Sequence, residues 1–179
     1  MNDSWIEKAK RHDKEAFSKL MEQQLGSMYK VAWAILKNDQ DAADAIQDTV
    51  LACWEKIDTL KKNEYFKTWL TRILINNCNA IYKERSRWVI GEENIEEAYT
   101  ECAYETIEWQ ELLGCLNQKQ RIVVELYYVE GFKVREIAQI LHITQSGVKG
   151  RLQAARRTIE TYYKADISSP PNSTFAVHQ

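Results

Sequence analysis

The sequence predicts an all-α protein made of two small helical domains joined by an acidic linker. The second is a four-helix domain built around a helix-turn-helix. Three observations point there. The 179 residues contain Gly 6 and Pro 2, with both prolines near the C-terminus, so little interrupts a helix. Apolar residues recur at intervals of three and four along most of the chain. The charge is segregated although the total is only −2. Residues 1–87 carry +2, residues 88–117 carry eight glutamates and no Lys or Arg, and residues 118–165 carry +5. Two basic parts are thus separated by an acidic one, at 179 residues a fair length for two small domains.

The first helical pattern is "KEAFSKLMEQQLGSMYKVAWAILK", with Phe17, Leu20, Met21, Met28, Val31, Ala32 and Ile35 on one face. A short "KNDQD" turn leads to "AADAIQDTVLACWEKI", whose stripe is Ile46, Val50, Trp54 and Ile57. Asp39 or Asp41 is placed to cap that helix. After "DTLKKNEY" comes "FKTWLTRILINNCNAIYKERSR", with Phe66, Trp69, Leu70, Ile73, Leu74 and Ile81 as its buried face. The domain boundaries read as 1–87, an acidic linker at 88–103, 104–165, and a disordered tail at 166–179 signalled by "SSPPNSTFAVHQ".

The second domain begins with "YETIEWQELLGCL" and "KQRIVVELYYVEG" and ends in two short amphipathic helices. Ile137, Ala138 and Leu141 line the first of these. Val148, Leu152, Ala155 and Ile159 line the second, at intervals of 4, 3 and 4. Between them lies His142-Ile143-Thr144, where Ile143 can plug the corner and Thr144 can cap the second helix. The outer face of that helix carries Gln145, Lys149, Gln153 and Arg156. A basic, glutamine-bearing second helix is what a DNA-reading helix-turn-helix requires.

Two further surfaces stand out. Thr68, Arg72, Asn76, Asn79 and Lys83 form a polar stripe at helical spacing. Lys61, Lys62 and Asn63 precede it in a loop, and Tyr65, Trp69, Tyr82 and Trp88 lie nearby. Cations for phosphates, amides for base edges and aromatics for stacking suit single-stranded nucleic acid, although a solvated face over core aromatics has the same spacing. Asp41, Asp44 and Asp48, with Gln47, make an acidic face that would repel DNA and therefore suits a protein partner. Asp41 and Asp44 also suit a helix N-terminus on electrostatic grounds alone.

Composition excludes several classes. The N-terminal stretch is charged throughout, and the longest apolar runs, such as "VAWAIL", are too short to cross a membrane. Cys53, Cys78, Cys102 and Cys115 show no C-x-x-C spacing and read as core residues in a reduced, cytoplasmic setting. His12, His142 and His178 are scattered, and no phosphate loop or nucleophile elbow occurs, so no cofactor, metal or small-molecule substrate is expected. The chain reads as a binder rather than an enzyme. From the residues alone, a stand-alone helix-turn-helix regulator and a helical interaction adaptor both remain open.

Taken in order, these segments resemble a bacterial sigma factor of the extracytoplasmic-function class, within the sigma-70 family. "DQDAADAIQDTVLACWEKI" is similar to the family's polymerase-gripping helix, and the T-W-L-x-R-I-x-x-N core of residues 68–76 to its promoter-melting segment. "LNQKQRIVVELYYVEGFKVREIAQILHITQSGVKGRLQAARRTI" is similar to its −35-reading domain. The resemblance implies core RNA polymerase and promoter DNA as partners, with a membrane-anchored anti-sigma factor as the usual antagonist.

It implies that Asp41, Asp44, Gln47, Asp48 and Leu51 face polymerase. Residues 60–67, including Lys61, Lys62, Asn63 and Lys67, would capture a flipped −10 base with Asn76, while Thr68, Arg72, Asn79 and Lys83 flank the melted strand. Lys149 and Gln153 would read −35 base edges, supported by Arg135, Thr144, Gln145 and Ser146. Arg151, Arg156 and Arg157 would hold phosphates. The departures are Ala43 where an acid is usual, Asn117-Gln118 for a Leu-Pro-type start, His142 for the turn glycine, and Gly147 and Gly150 for polar residues. They imply that promoter preference does not transfer from relatives.

Overall fold

The structure, a computed structural model, describes residues 3–88 and 107–168. All regular structure among them is helical: α1 Asp3–Lys10, α2 Lys14–Leu36, α3 Asp39–Lys56, α4 Phe66–Trp88, α5 Ile107–Gly114, α6 Gln118–Val124, α7 Val134–Leu141 and α8 Gln145–Ser168. Two 3-10 turns, Ile57–Thr59 and Asn63–Tyr65, join α3 to α4. A π turn, Glu125–Val129, extends α6. The expected linker and tail fall outside the described residues, apart from Trp88 and the end of α8, which runs on to Ser168.

In the N-terminal half, α2, α3 and α4 pack on one another around Phe17, Leu20, Val31, Ile35, Ala45, Phe66, Leu70 and Leu74. The α1 helix was not foreseen; Ile6 and Ala9 are its buried contribution, and it packs on α2. His12 at φ 61 makes the turn into α2, and Asp13 caps that helix by accepting from the Ala16 N–H at 2.9 Å. Between α2 and α3 the chain turns in two residues. Lys37 takes the left-handed conformation that ends α2. The cap of α3 is Asn38, whose side chain accepts from the Asp41 N–H at 2.9 Å, and not Asp39 or Asp41. Those two acids occupy the first turn, where the helix dipole favours them. A buried polar link then fixes α3 against α4. The Thr49 hydroxyl donates to the Ala45 carbonyl at 2.6 Å and accepts from Asn77 Nδ2 at 3.0 Å.

In the C-terminal half, Asn117 and Gln120 cap α6 reciprocally, so the unusual Asn117-Gln118 start is a capping box. The π turn widens the helix after Val124, leaving Tyr127, Tyr128 and Val129 exposed. Gly131 at φ 71 then reverses the chain, returning Phe132 to the core. The Glu136 carboxylate accepts from the Lys133 N–H at 2.7 Å and starts α7. His142 ends α7 at φ 53, in the left-handed conformation that the usual glycine adopts without strain.

The two halves are packed together rather than held apart. Elements α6, α7 and the π turn lie against α2 and α4, and the buried residues form one contiguous core. Arg121, 4% exposed, donates to the Ala34 carbonyl at 2.6 Å and to the Leu116 carbonyl at 3.2 Å. Gln118 reaches the Ile35 carbonyl at 3.4 Å. The last carbonyls of a helix have no partner within it, so the C-terminal half completes the end of α2.

Candidate nucleic-acid and polymerase interface

The basic helix is built as its spacing indicates. Val148, Leu152 and Ala155 are buried, and Ile159 packs partly against the core. Gln145, Ser146, Lys149, Gln153, Arg156 and Arg157 are exposed, and Arg151 is half-buried. Thr144 caps the helix by accepting from the Gly147 N–H at 3.0 Å. Gly147 has a structural reason: a Cβ there would lie 3.3 Å from the Thr144 hydroxyl. Nothing lies within 4 Å of a Cβ added at Gly150, which faces open space. Arg135 is exposed on α7. Arg156 is directed by a neighbour that sequence reasoning missed, since its guanidinium donates twice to the Tyr128 hydroxyl, at 2.8 and 3.0 Å. That pairing also holds the Arg156 charge more firmly than usual.

On α4, Arg72, Asn76, Asn79 and Lys83 are exposed along one side, as their interval indicates, and Thr68 is half-buried at its start. Trp69 is half-buried, its ring tilted against Phe66 with centroids 6.2 Å apart. It is neither a free stacking platform nor a full core residue. The preceding loop is pinned from within by buried Leu60 and Phe66, which leaves Lys61, Lys62 and Tyr65 on its outside. Lys62 lies 5.7 Å over the Tyr65 ring and 3.7 Å from Glu64. Asn63 bonds Glu7 of α1, holding that carboxyl below its ordinary value, so the unforeseen first helix braces this loop. Lys67 is turned away from the stripe toward Glu130 of the C-terminal half, with Nζ 3.0 Å from the carboxylate.

The acidic face of α3 separates into two parts. Asp44, Gln47 and Asp48 are exposed beside Leu51, an aliphatic side chain left 63% exposed. Asp41 instead pairs with Arg85 of α4 at 2.6 Å and is partly screened by it. An exposed leucine ringed by acids is a small apolar anchor with a polar rim, the form a protein-binding patch takes.

Burial pushes the Cys53 and Cys78 thiols up to about 12, which makes them inert core residues. No group of metal-binding side chains occurs among the described residues. No described helix is long and apolar enough to cross a membrane.

Comparison with known proteins agrees with this geometry. Residues 20–87 match Sigma-70 region 2, and residues 106–159 match Sigma-70, region 4. The chain is 27% identical over 144 residues to the RNA polymerase sigma factor SigV of Bacillus subtilis, covering 78% of this chain and 87% of that protein. It is 26% identical over 173 residues to the ECF RNA polymerase sigma factor SigW of the same organism, covering 86% and 92%. Among solved structures, it is similar to the sigma factor RpoE in complex with the anti-sigma factor NepR from Bartonella quintana. The TM-score there is 0.72 at 25% identity, over 84% of this chain and 98% of that one. The fold also matches CnrH bound to the cytosolic domain of CnrY, at a TM-score of 0.69 and 24% identity over 90% and 96%. Region 2 and region 4 occur in family order, on the two halves that the sequence divided by charge. The chain belongs to the sigma-70 family of RNA polymerase sigma factors, in its extracytoplasmic-function class.

Proposed function

We propose that the chain acts on promoters through three separate surfaces, on α8, on α4 with the loop before it, and on α3. The outer face of α8 reads the −35 element, with Lys149 and Gln153 on base edges in the major groove and Arg151, Arg156 and Arg157 on phosphates. The loop of residues 60–67 and the exposed side of α4 take up the −10 element as it melts, with Asn76 bonding an unstacked base. Asp44, Gln47, Asp48 and Leu51 on α3 bind core polymerase. No chemistry of its own is required, since polymerase catalyses and this protein binds and positions DNA. We place it in the cytoplasm. An anti-sigma factor is a natural antagonist, as one is bound in the RpoE structure that this fold resembles, and we propose a membrane-anchored one.

The observation that carries this reading is the exposure pattern of α8 and α4. On each, the side chains suited to nucleic acid line the solvent face while the apolar stripe is buried. The melting assignment is tested at Asn76, which is exposed on α4. Asn76→Ala is expected to keep polymerase binding but slow the appearance of permanganate-reactive thymines on duplex promoter DNA. A pre-melted bubble template recovers much of the activity. Equal losses on duplex and bubble templates would remove Asn76 from melting.

A further inference from the structure

Two arginines of this chain are held in opposite ways. Arg85 on α4 pairs with the Asp41 carboxylate at 2.6 Å, so its charge is met within the protein. Arg156 on α8 meets a phenol instead. Its Nε and Nη2 donate to the Tyr128 hydroxyl at 3.0 and 2.8 Å, across 28 residues of sequence. A hydroxyl is a neutral acceptor, so the guanidinium is fixed in direction while its positive charge stays unspent.

The hold is one-sided. Of the five N–H donors of a guanidinium, the pair on the Nε–Nη2 edge goes to Tyr128. The other edge, Nη1 with the second Nη2 hydrogen, is left for a second acceptor. Such an edge is a fork that matches two oxygens of one phosphate. Tyr128 is itself held. Its ring meets the Tyr127 ring edge to face, with centroids 4.9 Å apart. Both tyrosines belong to the π turn, which the Glu130 N–H closes by donating to the Glu125 carbonyl at 3.0 Å and which buried Leu126 and Phe132 anchor. Tyr128 is a fixed arm reaching from that turn to α8.

Stability does not account for the contact. Tyr128 is 51% exposed and Arg156 is exposed, and a bond between surface groups replaces bonds to water at little net gain. Its value comes when a phosphate docks. A free arginine gives up rotamer freedom on binding, at a cost of about two- to tenfold in affinity, whereas one already held has given it up beforehand. We propose that Tyr128 is a positioning residue for DNA, presenting the open edge of Arg156 to a backbone phosphate. The DNA-binding surface then extends from α8 onto the π turn, and the gain in affinity is independent of sequence. This inference rests on the assignment of Arg156 to a phosphate.

In the test, the full chain is titrated at low salt into a labelled mixed-sequence duplex of about 30 base pairs, on which phosphate contacts act whatever the sequence. The proteins are the parent, Tyr128→Phe, Arg156→Ala and the double variant. Tyr127→Phe is the control, since the guanidinium donates to Tyr128 and not to Tyr127. Tyr128→Phe keeps the ring, and is expected to melt at the parent temperature yet bind about two- to tenfold more weakly, with Tyr127→Phe binding as the parent does. In the Arg156→Ala background the same change is expected to cost nothing further, which a general loss of fold would not reproduce. Three results overturn the positioning role and leave the phosphate assignment standing: parent-like or tighter binding by Tyr128→Phe, a loss no greater than that of Tyr127→Phe, or an equal loss with and without Arg156. Binding by Arg156→Ala as tight as the parent's overturns that assignment and the role of Tyr128 with it.

Discussion

Glu125 begins the π turn almost wholly buried, with one carboxylate oxygen 3.4 Å from the Trp109 indole nitrogen and the other without a partner among the described residues. Burial pushes its acid up to about 7 from 4.5, and nearby Glu130 pushes the same way while the Trp109 bond and Lys30 oppose. The folded state therefore holds the proton more tightly than the unfolded chain. The resulting stabilisation is fully present below about pH 4.5 and is lost as pH rises through about 7. The loss amounts to at most about 3 kcal/mol. Denaturant midpoints should fall from pH 5 to pH 8 in the parent and fall much less in Glu125→Gln; an unchanged slope in the variant would exonerate this residue. On α8 we propose that the cations divide by task. Lys149→Ala should cost about 1–3 kcal/mol on the preferred promoter and relax preference at one base pair. Arg156→Ala should weaken all promoters alike and flatten the salt dependence by about one counterion. Competition assays over a set of −35 variants separate the two, and a Lys149→Ala protein with unaltered preference is not missing a base contact.

Helices α2, α4, α7 and α8 were legible because each buries a stripe at intervals of three and four, and periodicity survives whatever the stripe packs against. The α3 helix was legible too, but it buries Ala42, Ala45, Thr49 and Cys53, and Ile46, Val50 and Trp54 of the expected stripe are only partly buried. The start of α3 was misread because Asn38, Asp39 and Asp41 all suit a helix N-terminus, and only backbone geometry tells the cap from the first turn. The α1 helix was passed over because Ile6 and Ala9 are the whole of its buried stripe in a charged octapeptide. No local residue distinguishes the π turn from continued α-helix, so the exposure of Tyr128 and its bond to Arg156 could not be foreseen. The two glycines of α8 give a clean test at this scale. Gly150→Ala should stabilise the fold by about 0.5–1 kcal/mol, because a methyl group there meets nothing. Gly147→Ala should gain less, since its methyl crowds the Thr144 cap. Thermal denaturation of both variants checks the ordering, and equal gains would mean that the cap yields without cost.

At the level of the whole molecule, we propose that charge segregation separates the partners. The exposed acids of α3 would repel DNA, and the exposed cations of α8 and of the loop before α4 suit it. A net charge of −2 leaves few counterions to release, so the isolated chain should bind DNA weakly and depend on polymerase for the rest. The division into two halves was legible from composition. Their mutual packing was not, because Lys67 and Glu130 stand 63 residues apart and the pairing has no local signature. Asp44→Arg with Asp48→Arg tests the acidic face. If those residues serve only the helix dipole, the cost is about 0.3–1 kcal/mol of stability per charge and polymerase binding survives. Like charges against a basic polymerase surface cost several kcal/mol, so the double variant should melt near the parent temperature and fail to bind core polymerase. Tight binding by the folded double variant would discard this face. Promoter selection by this chain is measured by run-off transcription from a library of the source genome's fragments by core RNA polymerase, with and without the chain. Discrete transcripts are expected that require the chain and whose upstream DNA shares one −35 and −10 pair at fixed spacing. Transcripts identical with and without the chain, or starts with no shared upstream pair, would contradict promoter selection by it.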